Sequence, residues 1–282
     1  LQQALESILK ATQSIETEIF VVDNHSVDGS IEMLQSQFPQ IQLIQNQNNL
    51  GFAKANNQAI KQATGDYIWL LNPDTLVQED TPQKLIQVME ADKNIGLLGC
   101  KILNDDGSLQ LACRRSFPTP WVAFTKLLGL ANIFPNSKWF GRYNLTHLNP
   151  DEAYEVEAIS GSCMFIRREA LEEVGVLDET FFMYGEDLDW CYRFGQSGWK
   201  VYYTPATSII HYKGESSKVA LWDTNTHFYR AMDIFTRKHF KSTRRFPIHW
   251  VLRLGIFARY LLSILSKISK NAAAYVLDLT GL

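Results

Sequence analysis

Segments with the character of strands and helices alternate along residues 1–75, and this alternation limits the possible folds more than any other feature of the sequence. Residues 18–22 and 67–71 are apolar runs of strand length. Residues 31–38 and 51–63, which lie between those runs, have apolar side chains at helical spacing. Strands joined by helices of about 10 to 15 residues form βαβ units with parallel pairing and right-handed crossovers. The sequence therefore predicts an α/β fold with a mainly parallel sheet flanked by helices.

Acidic side chains follow two of these strands directly. Asp23 comes after residues 18–22, and Asp74 comes after residues 67–71 in the sequence Asn72-Pro73-Asp74. In open α/β sheets, ligands bind beyond the carboxyl ends of the strands. Ordinary turn chemistry explains Asn-Pro-Asp on local grounds, so it is the position of Asp74 that predicts a binding site.

Further elements are predicted along the rest of the chain. A helix is expected at 81–91 because Thr81-Pro82 is a helix-start signal. Residues 158–166 are expected to form one strand, and two more strands are expected near the end of the α/β region. The sequence Asn-Asp-Asp-Gly-Ser predicts a hairpin between residues 95–103 and 109–113.

Three carboxylates, Glu186, Asp187 and Asp189, crowd the predicted start of a helix near residue 187. First-turn acids complement a helix dipole, so capping explains any one of them. Three acids within four residues repel one another, however, and need compensation by a cation or by function. Arg193 lies four residues after Asp189, which is the spacing of a helical ion pair.

Residues 116–155 lose any clear periodicity and accumulate aromatic side chains among Pro, Gly and Asn. A long irregular segment in a compact domain is usually a binding loop or a lid. A satellite hydrophobic core is the alternative, and the sequence favours neither.

The basic residues of the chain are concentrated near its end, although the net charge of its 282 residues is only −3. Residues 234–277 contain nine Lys or Arg and no Asp or Glu. The apolar stretch 250–266 contains two arginines and is shorter than the ~20 apolar residues of a membrane span. We therefore predict a domain at 1–233 and a basic amphipathic helical tail at 234–282 that binds an anionic membrane surface. A helix docked on the domain is the alternative, and nucleic acid is disfavoured because no reading motif accompanies the charge.

The four cysteines show neither a CxxC pair nor metal-ligand spacing. We expect them to be buried and reduced, which fits a reducing compartment. Together with the basic tail, this predicts a cytoplasmic protein that is peripheral on the inner face of the plasma membrane.

Five ordered blocks of sequence resemble the family 2 glycosyltransferases, and within that family the bacterial rhamnosyltransferase-type branch. The blocks are VVDNHSVDGS, NNLGFAKANNQAI, GDYIWLLNPDT, GSCMFIRREALEEVGVLDETFFMYGEDLDWCYR and GWKVYYTPATSIIHYKGES. The resemblance implies a GT-A fold with a Rossmann-like sheet, and inverting transfer of a sugar from a nucleotide-diphosphate donor.

The resemblance also implies roles for individual residues. In that family, acids matching Glu186 and Asp187 supply the catalytic base, and Asp187 is our choice for it. The motif matching Asn72-Pro73-Asp74 binds Mg²⁺ or Mn²⁺, so Asp74 is predicted as a metal ligand, together with His211. The acid matching Asp23 contacts the nucleotide base. The full set of predicted donor-binding residues is Asp23, Asn24, Asp28, Asn49, Gly51, Lys54, Asn56, Asn72 and Pro73.

The sequence departs from the family pattern in two places. The family normally opens with a further apolar strand, whereas residues 1–10 already have the pattern of the helix that would follow it. This departure implies a gap in the sheet beside the donor pocket. Asn72 stands where a strict DxD motif has Asp, which reduces the negative charge of the cation site by one. We also expect Trp190 and Tyr184 to raise the pKa of the base by burial.

These features give one leading interpretation and two alternatives. The leading interpretation is a metal-assisted, inverting glycosyltransferase that moves a sugar, with rhamnose as one possibility, to a glycan or polyprenyl-linked acceptor. The first alternative is an inactive nucleotide-sugar-binding or scaffold domain of the same fold, because the opening strand is absent. The second is a nucleotidyltransferase, although the chain lacks the glycine-rich N-terminal loop expected for triphosphate chemistry.

Overall fold

The computed structural model describes residues 1–212 and 221–239. The predicted helix at 81–91 is confirmed, and Pro82 occupies its first turn, where its missing N–H is not needed. The helices are α1 (Gln2–Ala11), α2 (Ser30–Gln37), α3 (Phe52–Ile60), α4 (Thr81–Ala91), α5 (Pro120–Leu127), α6 (Leu130–Ile133), α7 (Arg168–Val174), α8 (Glu186–Gln196) and α9 (Leu221–His239).

The strands form one large sheet and two small ones. The strands are β1 (Phe20–Asp23), β2 (Gln42–Gln45), β3 (Tyr67–Leu71), β4 (Thr75–Val77), β5 (Ile95–Leu103), β6 (Arg114–Arg115), β7 (Tyr154–Glu155), β8 (Ala158–Ile159), β9 (Cys163–Arg167) and β10 (Lys200–His211). The large sheet has the order β3-β9-β5-β10-β4, and β7 also pairs with β10. The two small sheets are β1-β2 and β6-β8.

The α/β class is confirmed, but the large sheet is mixed rather than mainly parallel. Strands β5 and β10 pair in parallel, whereas β9 is antiparallel to both β3 and β5, and β4 is antiparallel to β10. Strand β9 enters the sheet after the long segment 104–157 instead of a crossover helix, so the alternation that implies parallel pairing holds only for the first part of the chain. Strands β3, β5 and β10 still run in one direction, and their carboxyl ends meet at one edge.

The first βαβ unit is as predicted, but it is separated from the large sheet. Strands β1 and β2 pair in parallel with α2 between them. Within the described residues no strand lies between β1 and β3, and a cleft of about 620 Å³ lined by α1, β1, α3 and β3 occupies that space. The departure from the family pattern predicts a gap in the sheet at this position, and the described residues have a cleft there.

The main core lies around β5, whose first six residues are buried without alternation. A continuous apolar run of this kind is expected of a strand covered on both faces. Burying each large aliphatic side chain here contributes about 1.5–3 kcal/mol to stability. A second, smaller core of Leu5, Leu34, Phe38 and Ile41 packs beside β1 and β2. The four cysteines are buried and free, as expected.

Three local predictions are corrected. Residues 158–166 form two strands, β8 and β9, because the chain turns at Ser160–Ser162. The predicted hairpin after β5 is reduced to a single bridge between Leu103 and Leu109, and Leu111–Cys113 is a 3₁₀ turn. The two strands expected late in the chain are one long strand, β10, with a bulge between Thr204 and Ser208.

Helix α9 crosses the predicted domain boundary at residue 233, and residues 240–282 of the predicted tail lie outside the described residues. Its last turn packs on the domain, because Lys238 forms ion pairs with Asp178 and Asp189. Lys238 is therefore bound by carboxylates and does not belong to a free basic surface. In the part of the chain that is described, no helix is both long and apolar enough to cross a bilayer.

Candidate active site

The turn that ends β3 brings Asp74 next to the end of β10. Asn72 and the exposed Pro73 reverse the chain, and the hydroxyl of Thr75 donates to the Asn72 carbonyl oxygen at 2.8 Å. Strand β4 follows at once and pairs with β10, with Thr75 opposite His211. The predicted metal ligands Asp74 and His211 are 137 residues apart in sequence and meet because β10 provides the pairing edge for β4.

Polar atoms of three side chains converge at this turn. Asp74 Oδ1 lies 3.2 Å from His211 Nε2, and Asn72 Nδ2 lies 3.2 Å from the same nitrogen. Asp74 Oδ1 is buried and accepts no hydrogen bond. An unpartnered buried carboxylate oxygen is costly, so this atom is suited to a cation or to a donor from a ligand. Across residues 1–212 and 221–239, no group of three or more His, Cys, Asp or Glu is arranged to hold a metal ion by itself.

Asp187 is held at the start of α8 by donors from three directions. The Arg115 guanidinium forms a short ion pair with Asp187 Oδ2, and the Gly161 N–H donates to the same oxygen at 3.1 Å. The Leu188 N–H donates to Oδ1 at 2.7 Å. Arg115 also donates to the Ile159 carbonyl oxygen at 2.7 Å. Burial alone would lower the pKa of Arg115, but the neighbouring groups, with the Asp187 carboxylate first among them, together outweigh burial and raise it.

The turn at Ser160–Ser162 connects Asp187 to the Asn72 turn. The Asn72 N–H donates to the Ser162 carbonyl oxygen at 3.1 Å, while the neighbouring Gly161 N–H reaches Asp187. A Cβ added to Gly161 would lie 3.3 Å from the Asp187 Cβ, which is tighter than ordinary contact. The close approach of backbone and carboxylate explains why the chain breaks its strand here.

Glu186 is the buried acid of the cluster, with 6% of its surface exposed. Burial, and then the charge of Asp187, raise the pKa of Glu186 to about 8. Its Oε2 atom is buried without a hydrogen-bond partner. The expected effect of burial on a pKa is thus found at Glu186, one of the two acids that the family resemblance implies for the catalytic base.

Asp189 is fully buried and is neutralised by cations. Arg193 Nε donates to Oδ2 at 2.9 Å, which is the helical ion pair that the spacing predicts. Lys238 and His239 of α9 each lie 2.7 Å from Oδ1. Despite burial, the hydrogen bonds from these groups lower the pKa of Asp189. The repulsion within the acidic cluster is thus relieved by separate partners, and Asp189 holds α9 on the domain.

The predicted nucleotide loop is built around Asn24. Its side-chain nitrogen donates to the Gly51 carbonyl oxygen at 3.2 Å, and its side-chain oxygen accepts from Asn46 at 3.1 Å. The Asn49 side chain accepts from the Gly51 N–H at 2.9 Å. Asp23, which is buried, accepts the N–H groups that follow it in a tight turn. These contacts bring two of the predicted donor-binding segments together.

Gly51 joins this loop to the loop before α8. It has φ +82°, and an added Cβ would lie 2.4 Å from the Phe182 carbonyl oxygen. The Phe52 N–H donates to that same oxygen at 2.7 Å. The predicted nucleotide loop is therefore in direct contact with the segment that leads to Glu186 and Asp187.

The remaining predicted donor-binding residues are not brought into this network. Asp28 is an exposed turn residue whose pKa is lowered by hydrogen bonds from Ser30. Lys54 is exposed on α3, and the Asn56 side chain donates to the Phe52 carbonyl oxygen in the turn before it.

Comparison with known proteins places the chain in a family. The sequence profile of Glycosyl transferase family 2 matches residues 1–175, which is more than half of the chain. The chain belongs to this family.

Three of the relatives that the chain matches are named as rhamnosyltransferases or as a hexosyltransferase. The chain is 28% identical to the N-acetylglucosaminyl-diphospho-decaprenol L-rhamnosyltransferase of Mycobacterium tuberculosis, over 96% of this chain and 91% of the relative. It is 29% identical to the rhamnosyltransferase WbbL of Escherichia coli, over 70% of this chain and 69% of WbbL. A hexosyltransferase of low-salt glycan biosynthesis, Agl10 of Haloferax volcanii, is 27% identical over 78% of this chain and 69% of Agl10.

Solved structures support the GT-A fold for this family 2 member. The mannosyltransferase PcManGT of Pyrobaculum calidifontis, in complex with GDP-Man and Mn²⁺, superposes with a TM-score of 0.54 at 16% identity, over 98% of this chain and 76% of that one. GalNAc-T7 with UDP, GalNAc and Mn²⁺ gives a TM-score of 0.56 at 16% identity, over 95% of this chain and 55% of that one. The predicted fold is confirmed.

Two residues of this family 2 site were not predicted from the sequence. Arg115 pairs with Asp187, and Gln110 Oε1 lies 2.9 Å from His211 Nδ1. Gln110 lies in residues 109–113, which are expected to form a hairpin strand, and Arg115 lies just before the irregular segment 116–155. The sequence signal for Arg115 is a basic pair, Arg114-Arg115, within residues 107–150, which contain no Asp or Glu.

Proposed function

We propose that the chain is an inverting glycosyltransferase that transfers a sugar from a nucleotide-diphosphate donor to a glycan or polyprenyl-linked acceptor. The observation that carries the proposal is the pair of contacts made by residues 160–162. These residues bond both to Asp187 and to Asn72 of the turn that holds Asp74. A carboxylate base and a cation-binding turn are the two groups that one-step sugar transfer needs.

Asp187 acts as the general base in this proposal. The acceptor hydroxyl oxygen attacks the anomeric carbon, the bond from that carbon to the diphosphate oxygen breaks, and the hydroxyl proton passes to Asp187. Attack opposite the leaving group inverts the configuration at the anomeric carbon. The contacts with Arg115 and Gly161 hold the carboxylate in place, and fixed positioning of a base contributes to the rate.

Asp74 and His211 are suited to hold Mg²⁺ or Mn²⁺. The buried Asp74 Oδ1 lacks a donor and faces His211 Nε2, and such ions commonly take one or two protein carboxylates and complete their shell with phosphate and water. A bound ion would neutralise the charge that develops on the departing diphosphate. Asp23, Asn24, Asn49 and Gly51 form the loops that we propose for the nucleotide.

Rhamnose is the donor sugar that the relatives favour. Two of the three relatives described above carry rhamnosyltransferase in their names, and the M. tuberculosis relative matches almost the whole chain. We therefore propose a dTDP-linked deoxysugar, with dTDP-rhamnose as the first donor to test.

An exposed aromatic surface supports a lipid-linked acceptor at a membrane. This surface consists of Trp121, Phe124, Phe134 and Trp139, of which Trp139 is 71% exposed. Residues 116–150 contain no Asp or Glu, so no carboxylate of this segment would repel anionic lipid. Aromatic side chains are favoured at the interface between lipid and water. We propose that this surface meets the inner face of the plasma membrane, in addition to the basic tail.

The donor and the base can be tested in one assay. The full chain is incubated with Mn²⁺, an N-acetylglucosaminyl-diphospho-polyprenol acceptor, and dTDP-rhamnose, UDP-glucose or UDP-galactose in turn. We expect transfer with one of these donors and loss of transfer in Asp187→Asn. If no donor supports transfer or hydrolysis, the proposal of an active enzyme is wrong.

An inactive nucleotide-sugar-binding domain is the second candidate, and the cleft between β1 and β3 is the observation that favours it. This cleft divides the sheet next to the loops that we propose for the nucleotide. The transfer assay separates an enzyme from a binding domain, and calorimetry with dTDP and UDP separates both of them from a scaffold, which would bind neither nucleotide.

A further inference from the structure

A series of side-chain hydrogen bonds runs from the turn after β5 to the imidazole of His211. Ser108 Oγ donates to Asp106 Oδ1 at 2.5 Å, and Asn104 Nδ2 donates to Ser108 Oγ at 2.9 Å. Gln110 Nε2 donates to Asn104 Oδ1 at 3.1 Å. Gln110 Oε1 then lies 2.9 Å from His211 Nδ1. We refer to these five side chains as the relay.

The first member of the relay determines the direction of every bond in it. The hydrogen bonds from Ser108 lower the pKa of Asp106, so this carboxylate is ionised and can only accept. Ser108 donates its only hydroxyl hydrogen bond to Asp106. The Ser108 oxygen must therefore accept the hydrogen bond from the Asn104 side-chain nitrogen. Asn104 is left to present its carbonyl oxygen to Gln110, and Gln110 presents its own carbonyl oxygen to His211.

Sheet pairing places the relay beside the imidazole. Strands β5 and β10 are parallel, with Leu103 opposite Ile210, so the turn after β5 lies next to the residue that ends β10. Gln110 and His211 are both buried, whereas Asp106 and Ser108 are exposed. The hydrogen bond between His211 and Gln110 is thus protected from water. The hydrogen bond between Ser108 and Asp106, at the exposed end of the relay, competes with hydrogen bonds to water.

We propose that Gln110 is a positioning residue that keeps the His211 proton on Nδ1 and leaves the lone pair of the neutral ring on Nε2. That lone pair faces Asp74 Oδ1 at 3.2 Å, where the proposed metal ion would bind. Histidines that bind metals usually donate their other ring N–H to a fixed acceptor, and such an acceptor selects the tautomer. This proposal rests on the proposed function in one respect, namely that the proposed function supplies the metal ion that Nε2 would bind.

The tautomer can be measured without metal or activity. Long-range ¹H–¹⁵N correlation spectra of the ¹⁵N-labelled full chain report which ring nitrogen of each histidine carries the proton, and His211→Gln assigns the signal. We expect the Nδ1–H form in the wild type and in Gln110→Glu, which keeps an acceptor. Gln110→Leu should shift His211 toward the Nε2–H form. An Nε2–H wild type, or no change in Gln110→Leu, would overturn the proposal.

Titration with Mn²⁺, alone and with dTDP, followed by electron paramagnetic resonance, gives a second readout. Loss of an outer-shell partner typically lowers metal affinity by about 10- to 100-fold. We expect about tenfold weaker binding in Gln110→Leu, a smaller loss in Ser108→Ala, and wild-type binding in Gln110→Glu. Asp105→Asn is the matched control, because it removes a carboxylate from the same turn but outside the relay. Equal Mn²⁺ affinity of Gln110→Leu and the wild type would contradict the proposal. If no form binds Mn²⁺, the proposed metal site is wrong, and the tautomer spectra alone decide the role of Gln110.

Discussion

Replacing Asp187 by Asn should remove most of the transfer activity and also destabilise the fold, and a second substitution separates the two effects. Asn keeps the shape of the side chain but has far lower basicity. Loss of a positioned general base typically lowers the rate by about 10²- to 10⁴-fold. The substitution also leaves the Arg115 guanidinium, whose side chain is 11% exposed, without its carboxylate.

The cost in stability follows from the burial of this pair. Breaking one side of a buried ion pair typically costs about 3–5 kcal/mol. The lower end is expected here, because the Asn side-chain oxygen can still accept from one of the two backbone donors, Gly161 or Leu188, and Arg115 keeps its bond to the Ile159 carbonyl oxygen. We therefore expect Asp187→Asn to lower the free energy of unfolding by about 3 kcal/mol. Arg115→Gln should cost a comparable amount.

The double variant Arg115→Gln/Asp187→Asn carries no buried charge at this position. Its loss in free energy of unfolding, measured by urea denaturation, should be smaller than the sum of the two single losses by about 1–3 kcal/mol, as for other directly coupled pairs. Its rate of transfer, measured with excess dTDP-rhamnose under conditions where all forms are folded, should stay as low as that of Asp187→Asn. Recovery of activity together with stability would show that Asp187 is structural and would refute its role as the base.

Three further predictions concern neighbouring groups. The folded state holds a proton on Glu186 between its ordinary pKa of 4.5 and about 8, so the free energy of unfolding should fall as pH rises through this window. The slope should reach up to about 1.4 kcal/mol per pH unit. Urea denaturation at pH 6 and at pH 8 should therefore show a smaller difference in stability for Glu186→Gln than for the wild type. Gly51→Ala should weaken dTDP binding and should destabilise the fold more than Gly29→Ala does. Both glycines have φ near +80°, but of the two only Gly51 would bring an added Cβ against the Phe182 backbone. Equal losses of stability in the two variants would contradict this prediction. Asp74→Asn should lower Mn²⁺ affinity by about tenfold or more, since it removes a proposed ligand itself; unchanged binding would contradict the role of Asp74.

The sequence predicts well those features that depend on one element and the residue after it. The strand at 67–71 appears with its predicted bounds, and the acidic residue that follows it lies at the carboxyl edge of the sheet. The Asp189–Arg193 ion pair appears because helical spacing alone brings the two side chains together. These predictions required no knowledge of which strands pair.

Arg115 and Gln110 could not be predicted, because their roles depend on strand pairing. Gln110 reaches His211 only because β5 and β10 are neighbours, and local periodicity does not encode that order. Arg115 reaches Asp187 through the β6-β8 pair, whose strands are two residues long. Strands of that length leave no pattern that can be read from the sequence.

The acidic start of α8 shows how partners divide similar residues among different roles. Asp189 is bound by Arg193, Lys238 and His239 and is fully buried, so no substrate hydroxyl can reach it. Glu186, with a pKa of about 8, is mostly protonated at pH 7 and is a poor base there. Asp187 remains, partly exposed and held by Arg115 and by the backbone that also holds the Asn72 turn. The sequence spacing does not distinguish the three acids, and it is the contacts made by other segments that make Asp187 the acid that we propose as the base beside the proposed cation site.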